Sequence, residues 1–214
     1  GNKYEEAKKL YKENKLQELV DLAFRKDIIA EKILGVKVED GVAIIDGKHV
    51  PAPISDRIVQ LHKEGMPYEY LVNFWRRLSN NPSYSSQQEL FDMLEKNHHP
   101  IYPDGCFMAW KAVRKDWTDK HTGKIDNSVG QNPRMKRCDV DDNRRNECSN
   151  GYHVGSIEYV KGFADSDGHI VEVKVDPAHA VSVPLGEGYQ KLRVESYVVV
   201  REVNKDELFP SNYG

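Results

Sequence analysis

Between Asp104 and Ser156 the chain concentrates side chains with chemistry of their own. Asp116, Asp119, His121 and Asp126 are the donor types that hold a divalent cation, and His121 also has the chemistry of a general base. Asp119 and His121 sit in Asp-Lys-His-Thr-Gly and Asp126 opens Asp-Asn-Ser-Val-Gly, which are turn sequences because Asx side chains bond their own backbone. Turns are the preferred reading, and no metal is expected. The later DVDDN run opens like a calcium loop but has Arg144 where that loop needs Gly and Asn150 where it needs a bidentate Glu, so calcium is rejected. Arg134, Arg137, Arg144 and Arg145 carry the guanidinium forks that suit phosphate, and with them a nucleic-acid backbone. Interleaved Asp139, Asp141 and Asp142 cancel much of that field, so nucleic acid is not favoured.

Two further candidates flank a Gly-rich turn. His153 stands on a short expected strand, Tyr152–Val154, and Ser156 is placed to cap the helix that IEYVKGFA opens, where an anion can be received. Cys148 lies near His153, but no third orienting group completes a nucleophilic set. Lys111 stands among apolar neighbours in CFMAWKAV, either reaching solvent along its stem or presenting its charge to a ligand. Glu195, or Glu202, places a carboxylate on a late strand. The ligand-binding candidates are therefore Lys111, His121, Arg137, His153 and Ser156; the catalytic candidates are His153, Ser156 and Glu195.

The elements that must position these residues divide in two. Residues 1–99 read as helical. Lys3–Asn14 has helical apolar spacing, which Leu16, Leu19, Val20, Ala23 and Phe24 repeat. Asp27 then caps a short helix holding Ile28, Ile29 and Ile33, with Gly35 as its stop. A β-hairpin over about 36–50 follows from alternating Val36 and Val38 and the Asp40-Gly41 turn. Helices follow from Pro53, from Pro67, and from Ser85 or Ser86 with Glu89 as capping box. Asn80-Asn81-Pro82-Ser83 is a plain break, and the adjacent His98 and His99 read as a helix end rather than a metal pair. Residues 100–214 read as strand: Cys106–Val113, Tyr152–Val154, a strand opening at Ile170 or Val171, Ala180–Val183, a loop at Gly186–Gly188, and one long run from Leu192 to Val203. Some three dozen polar residues, 115–150, interrupt them, and an ordered loop of that length is usually a binding or catalytic one. The expected class is α+β: a helical amino-terminal region with a small hairpin, then a mixed or antiparallel β domain with a long polar loop.

Composition bounds the function. The 214 residues carry net charge −3 with 30% charged, an ordinary soluble surface without a global nucleic-acid signature. No run approaches the roughly 18 apolar residues of a membrane span. Three cysteines with no CxxC spacing point to a reducing compartment rather than a disulfide framework. The chain opens on Gly1 rather than Met, so residues upstream are expected.

DGCFMAWKAV, DKHTGKIDNSVG, the Arg137–Asp141 segment, CSNGYHVGSIEYVKGFA, VEVKVDPAHAVSVP and KLRVESYVVV resemble, in order and spacing, the carboxy-terminal region of phage rIIB-type lysis-inhibition proteins. The resemblance covers about residues 80–203, with Tyr152 where the family's CSxGLHV has Leu. It implies a phage-encoded protein of the host cytoplasm, peripheral at the inner membrane, that modulates lysis or host and defence functions by binding a partner, an rIIA-type phage protein or a host factor. It brings no catalytic residues and no cofactor, so a non-enzymatic role is preferred. The unit GYHVGSIEYVKGFA is also similar to the central unit of ADP-ribosyltransferase-type folds. That likeness implies an NAD or other nucleotide pocket served by Lys111 or Arg114, His153, Ser156 and Glu195. The first-strand residue departs from both main classes of those enzymes.

Overall fold

The computed structural model describes residues 2–12, 15, 27, 30–184, 188 and 190–204. The helical repeat through Leu16, Leu19, Val20, Ala23 and Phe24 lies outside the described residues, as do Ile28, Ile29 and Gly186. The chain forms two compact units, Gly1–Val72 and Asn73–Gly214. Helices accompany antiparallel sheets, which makes the class α+β.

The first unit holds helix α1 (Asn2–Lys12), a π-turn at Ala30–Leu34, and an antiparallel sheet of β1 (Val36–Glu39), β2 (Val42–Ile45) and β3 (Lys48–His49). Asp40 and Gly41, then Asp46 and Gly47, all take positive φ, the geometry that Asp-Gly hairpin turns require. Helix α2 (Ala52–Glu64) packs on β2 with Ile54 and Ile58 fully buried, and Ser55 Oγ accepts from Ala43 N at 2.8 Å. Gly65 ends α2 in the left-handed region. Ile33, read as part of a short helix, lies in the π-turn and is 73% exposed.

Helix α3 (Glu69–Leu78) starts two residues after Pro67 rather than on it. In the second unit, α4 (Tyr84–Lys96) is capped by Ser83, whose hydroxyl accepts from Ser86 N. Glu89 is therefore not a capping-box residue; it pairs with Arg144 at 2.5 Å. The main sheet contains β4 (Phe107–Val113), β5 (Tyr152–Gly155), β6 (His169–Val175), β7 (Ala180–Ser182), β8 (Lys191–Val194) and β9 (Val198–Glu202), in the order β7-β8-β5-β4-β6-β9, all antiparallel. A short helix α5 (Ile157–Lys161) leaves β5 and packs Val160 against Ile170 and Val203, with Trp110 and Tyr159 beside them.

The run from Leu192 to Val203 is not one strand. It breaks at Glu195–Tyr197, and its halves sit four positions apart in the sheet, with three strands between them. Laid flat, β8 and β9 would be about 19 Å apart at ordinary strand spacing. The link from Val194 to Val198 spans at most about 14 Å, so the sheet must roll. The 115–150 loop lies along the seam this leaves. Gly130 N donates to Val199 O and Val199 N to Gln131 O, Met135 N donates to Glu195 O, and Glu195 N donates to His179 O beside β7. The polar loop thus covers an otherwise open sheet edge, a position where exposed strand groups invite unwanted pairing.

Candidate functional site

The strands β4 and β5 pair only through Trp110 and Gly155. Beyond that point they part, and the amine of Lys111 donates to the His153 carbonyl at 3.0 Å. On this side of the sheet Tyr197 crosses from β8 to β9, stands 5.8 Å from the Lys111 amine to its ring centroid, and packs edge-on against Tyr152. Its hydroxyl donates to Asn127 Oδ1 of the polar loop. Burial pulls the Lys111 amine down to about 8, partly offset by Asp119.

Asp119 is a turn residue. Burial pushes its pKa up, but bonds from Thr122 Oγ1, Thr122 N, Ile125 N and Lys124 N outweigh it and hold the carboxyl well below the usual range. Asp116 and Asp126 likewise accept from Thr118 and Ser128 two residues on. Asp141 is held at about 2, chiefly by the Ser149 hydroxyl and then by Asn146 and Asn143 N. No group of three or more His, Cys, Asp or Glu among the described residues is placed to hold a metal ion. All three cysteines are free.

The candidate side chains fall into different settings. Ser156 Oγ caps the five-residue α5 by accepting from Tyr159 N at 3.2 Å; so short a helix has little dipole to offer an anion. Arg137 donates to Asn81 Oδ1, Ala178 O and Ala180 O and lies 3.7 Å from Glu195, which also faces His179. Among the described residues no hydrogen bond joins the side chains of His153, Ser156 and Glu195. His121 is exposed. The four arginines do not act as one cluster: Arg137 and Arg144 are engaged internally, Arg134 bonds Asn132, and Arg145 is exposed.

Three residues central to this region were not singled out from sequence. Arg193 is fully buried and holds the loop by donating to Asp141 O, Asn143 O and Asn146 O. Asn81 is fully buried between the Pro177–Ala180 turn and Arg137. Lys191 is 3% exposed beside the Tyr159 ring. Their one mark in the sequence is the basic and apolar alternation of KLRV, which is also the ordinary pattern of a strand with one face in water. An open cavity of about 580 Å³ lies over Arg137, lined also by Ser83, Cys138, Val140, Asp142 and Val181.

His153 and His99 share one electrostatic state. Burial lowers each to about 4; for His153 the neighbouring Lys111, Arg193, Lys191 and His121 add to the effect, while for His99 the Met108 carbonyl opposes it. The folded pKa lies below the unfolded 6.5, so the unfolded chain takes up protons first. Stability is complete above pH 6.5 and falls as pH drops toward 4, by up to about 3 kcal/mol for each histidine. Urea denaturation across pH 7 to 4.5 should show this decline, and His99→Gln should remove part of it. A flat profile would contradict the buried neutral state of both rings.

The profile of the family described as Bacteriophage T4 protein rIIB matches residues 5–211. Protein rIIB of Enterobacteria phage T4 is 33% identical over 203 residues, covering 94% of this chain and 65% of its own length. The chain therefore spans just under two-thirds of that relative. No solved structure matches it. No helix among the described residues is long and apolar enough to cross a membrane. The length of the profile match, together with the identity to the T4 protein, places this chain in the phage rIIB family.

Proposed function

We propose that the chain acts as a non-enzymatic rIIB-type protein of the host cytoplasm, peripheral at the inner membrane, that modulates lysis or host functions by binding a protein partner through the face of its polar loop. The observation that carries this reading is how the loop's side chains are used. Arg137 of the loop, together with the catalytic candidates Ser156 and Glu195 outside it, is engaged in holding loop, turn and helix together. The loop then presents Lys136, Asp142 and Arg145 as exposed side chains, with Asp142 lining the Arg137 cavity. A pre-ordered charged surface favours steered, selective association because little ordering entropy remains to be lost on binding.

The test is co-purification with an rIIA-type phage protein. Capture should weaken about tenfold or more in a Lys136→Glu, Arg145→Glu double variant, as like-charge juxtaposition at an interface does, while the melting temperature stays unchanged. Turnover of NAD or a nucleotide by the purified chain, abolished by His153→Ala, would overturn the non-enzymatic reading.

A further inference from the structure

His153 lies opposite Arg193 across the β5–β8 pair, and Gly155 lies opposite Lys191. Directly opposed residues and alternate residues share one face of a sheet. His153, Arg193 and Lys191 therefore leave the sheet on the same side, and they are satisfied very unequally. The Arg193 guanidinium is saturated by three carbonyls and Ser182 Oγ. Lys191, at 3% exposure, has the Tyr159 ring as its neighbour, 5.6 Å from Nζ to the centroid, and no carboxylate among the described residues pairs with it. His153 Nε2 is buried without a hydrogen-bond partner.

The Lys191 ammonium stands without a carboxylate among the described residues, and a buried imidazole nitrogen without a partner is costly. A single negatively charged acceptor satisfies both. The backbones of diagonal cross-strand neighbours stand about 7–8 Å apart, near enough for a lysine and a histidine side chain to donate to one tetrahedral oxyanion, each through a hydrogen bond of about 2.8 Å. Lys111, held at the His153 carbonyl, adds positive charge within range of the same ring. Asp119, the acid that acts on Lys111, has its oxygens committed to its own turn.

We propose that this cluster binds a small phosphate-bearing ligand, with phosphate oxygens accepting from Lys191 Nζ and from the Nε2–H of His153. The proposal is independent of the partner-binding reading, which uses the opposite set of exposed loop residues.

Titration calorimetry of the full chain with inorganic phosphate, against chloride at matched ionic strength, should show saturable one-site binding. Lys191→Met should weaken it about 10- to 100-fold, the loss of one charge-assisted bond, and Arg134→Gln should leave it unchanged. Histidine ring resonances supply a readout that does not depend on the variant folding: phosphate should shift the His153 ring signals and leave His49 unmoved. Absence of saturable binding, wild-type affinity in a folded Lys191→Met, or an unmoved His153 signal would each overturn the site.

Discussion

Arg193→Met is expected to destabilise the second unit by about 2–4 kcal/mol and to release the segment around Asp141–Asn146. Arg193 is fully buried, and its fork reaches Asp141 O at 2.7 Å, Asn143 O at 2.6 Å, Asn146 O at 2.5 Å and Ser182 Oγ at 3.1 Å. Bonds from a charged donor contribute about 1.5–3 kcal/mol each. Their sum is not the expected loss, because Asn143 and Asn146 are exposed and their carbonyls can turn to water. Methionine keeps most of the volume, so the measurement reads the hydrogen bonds rather than a cavity. Arg193→Lys should recover only a minor part, since an ammonium cannot reproduce a fork that serves three separate carbonyls. Chemical denaturation gives the magnitude, and amide exchange gives the location: protection should drop at Asp141, whose N donates to Asn150 O. A loss under about 0.5 kcal/mol, the range of ordinary surface changes, would mean that the loop is held by its own turns alone.

That loop was the most legible part of the sequence and also the part most easily misjudged. Its polarity and length singled it out, and its Asx chemistry was readable because an Asp side chain two residues before a backbone N–H reports a purely local geometry. Asp116, Asp126 and Asp141 all behave that way. What local patterns could not show is which distant groups receive the loop. Arg193 lies about fifty residues from the carbonyls it binds, and nothing in KLRV distinguishes an arginine facing water from one turned inward. The long β run from Leu192 failed for a similar reason. Its alternation is continuous through Glu195 and Tyr197, while the break is imposed by the roll of the sheet, which requires the chain to cross from β8 to β9 within three residues. Lys111 was legible because a charge inside an apolar strand is unusual at any register. Its partner, the His153 carbonyl, became free only because β4 and β5 separate beyond Gly155.

The same distinction between local and long-range information bears on the break at Asn80–Ser83, which reads as a turn and is in fact a structural junction. Asn81→Leu is expected to cost about 3–5 kcal/mol, more than Arg193→Met, because none of its groups has water as an alternative. The Asn81 side chain donates to Pro177 O at 2.9 Å and Ala180 O at 2.7 Å and accepts from Ser83 N at 2.9 Å and Arg137 Nη2 at 2.8 Å, with no exposure to solvent. Leucine fills a similar space but leaves the Ser83 amide without its acceptor, a desolvation penalty of about 1–3 kcal/mol, and removes one donor each from Pro177 O and Ala180 O, which keep Ala180 N and Arg137 at a net loss of about 0.5–1.5 kcal/mol per bond. Two consequences should travel outward. Ser83 caps α4, so the helix start loosens. Arg137 loses one of its acceptors and keeps Ala178 O, Ala180 O and the longer approach to Glu195, so the floor of the cavity it lines changes shape. Asn81→Asp separates these effects. Its oxygens still accept from Ser83 N and Arg137, but the donor to Pro177 O and Ala180 O is gone unless the carboxyl is protonated. That variant should be more stable at pH 5 than at pH 7 relative to the parent, because burial against two carbonyls raises a carboxyl pKa and the protonated form restores one donor. Urea midpoints at the two pH values measure this directly. A smaller relative loss at pH 7 than at pH 5 would show that the Arg137 charge, and not the paired carbonyls, dominates the junction.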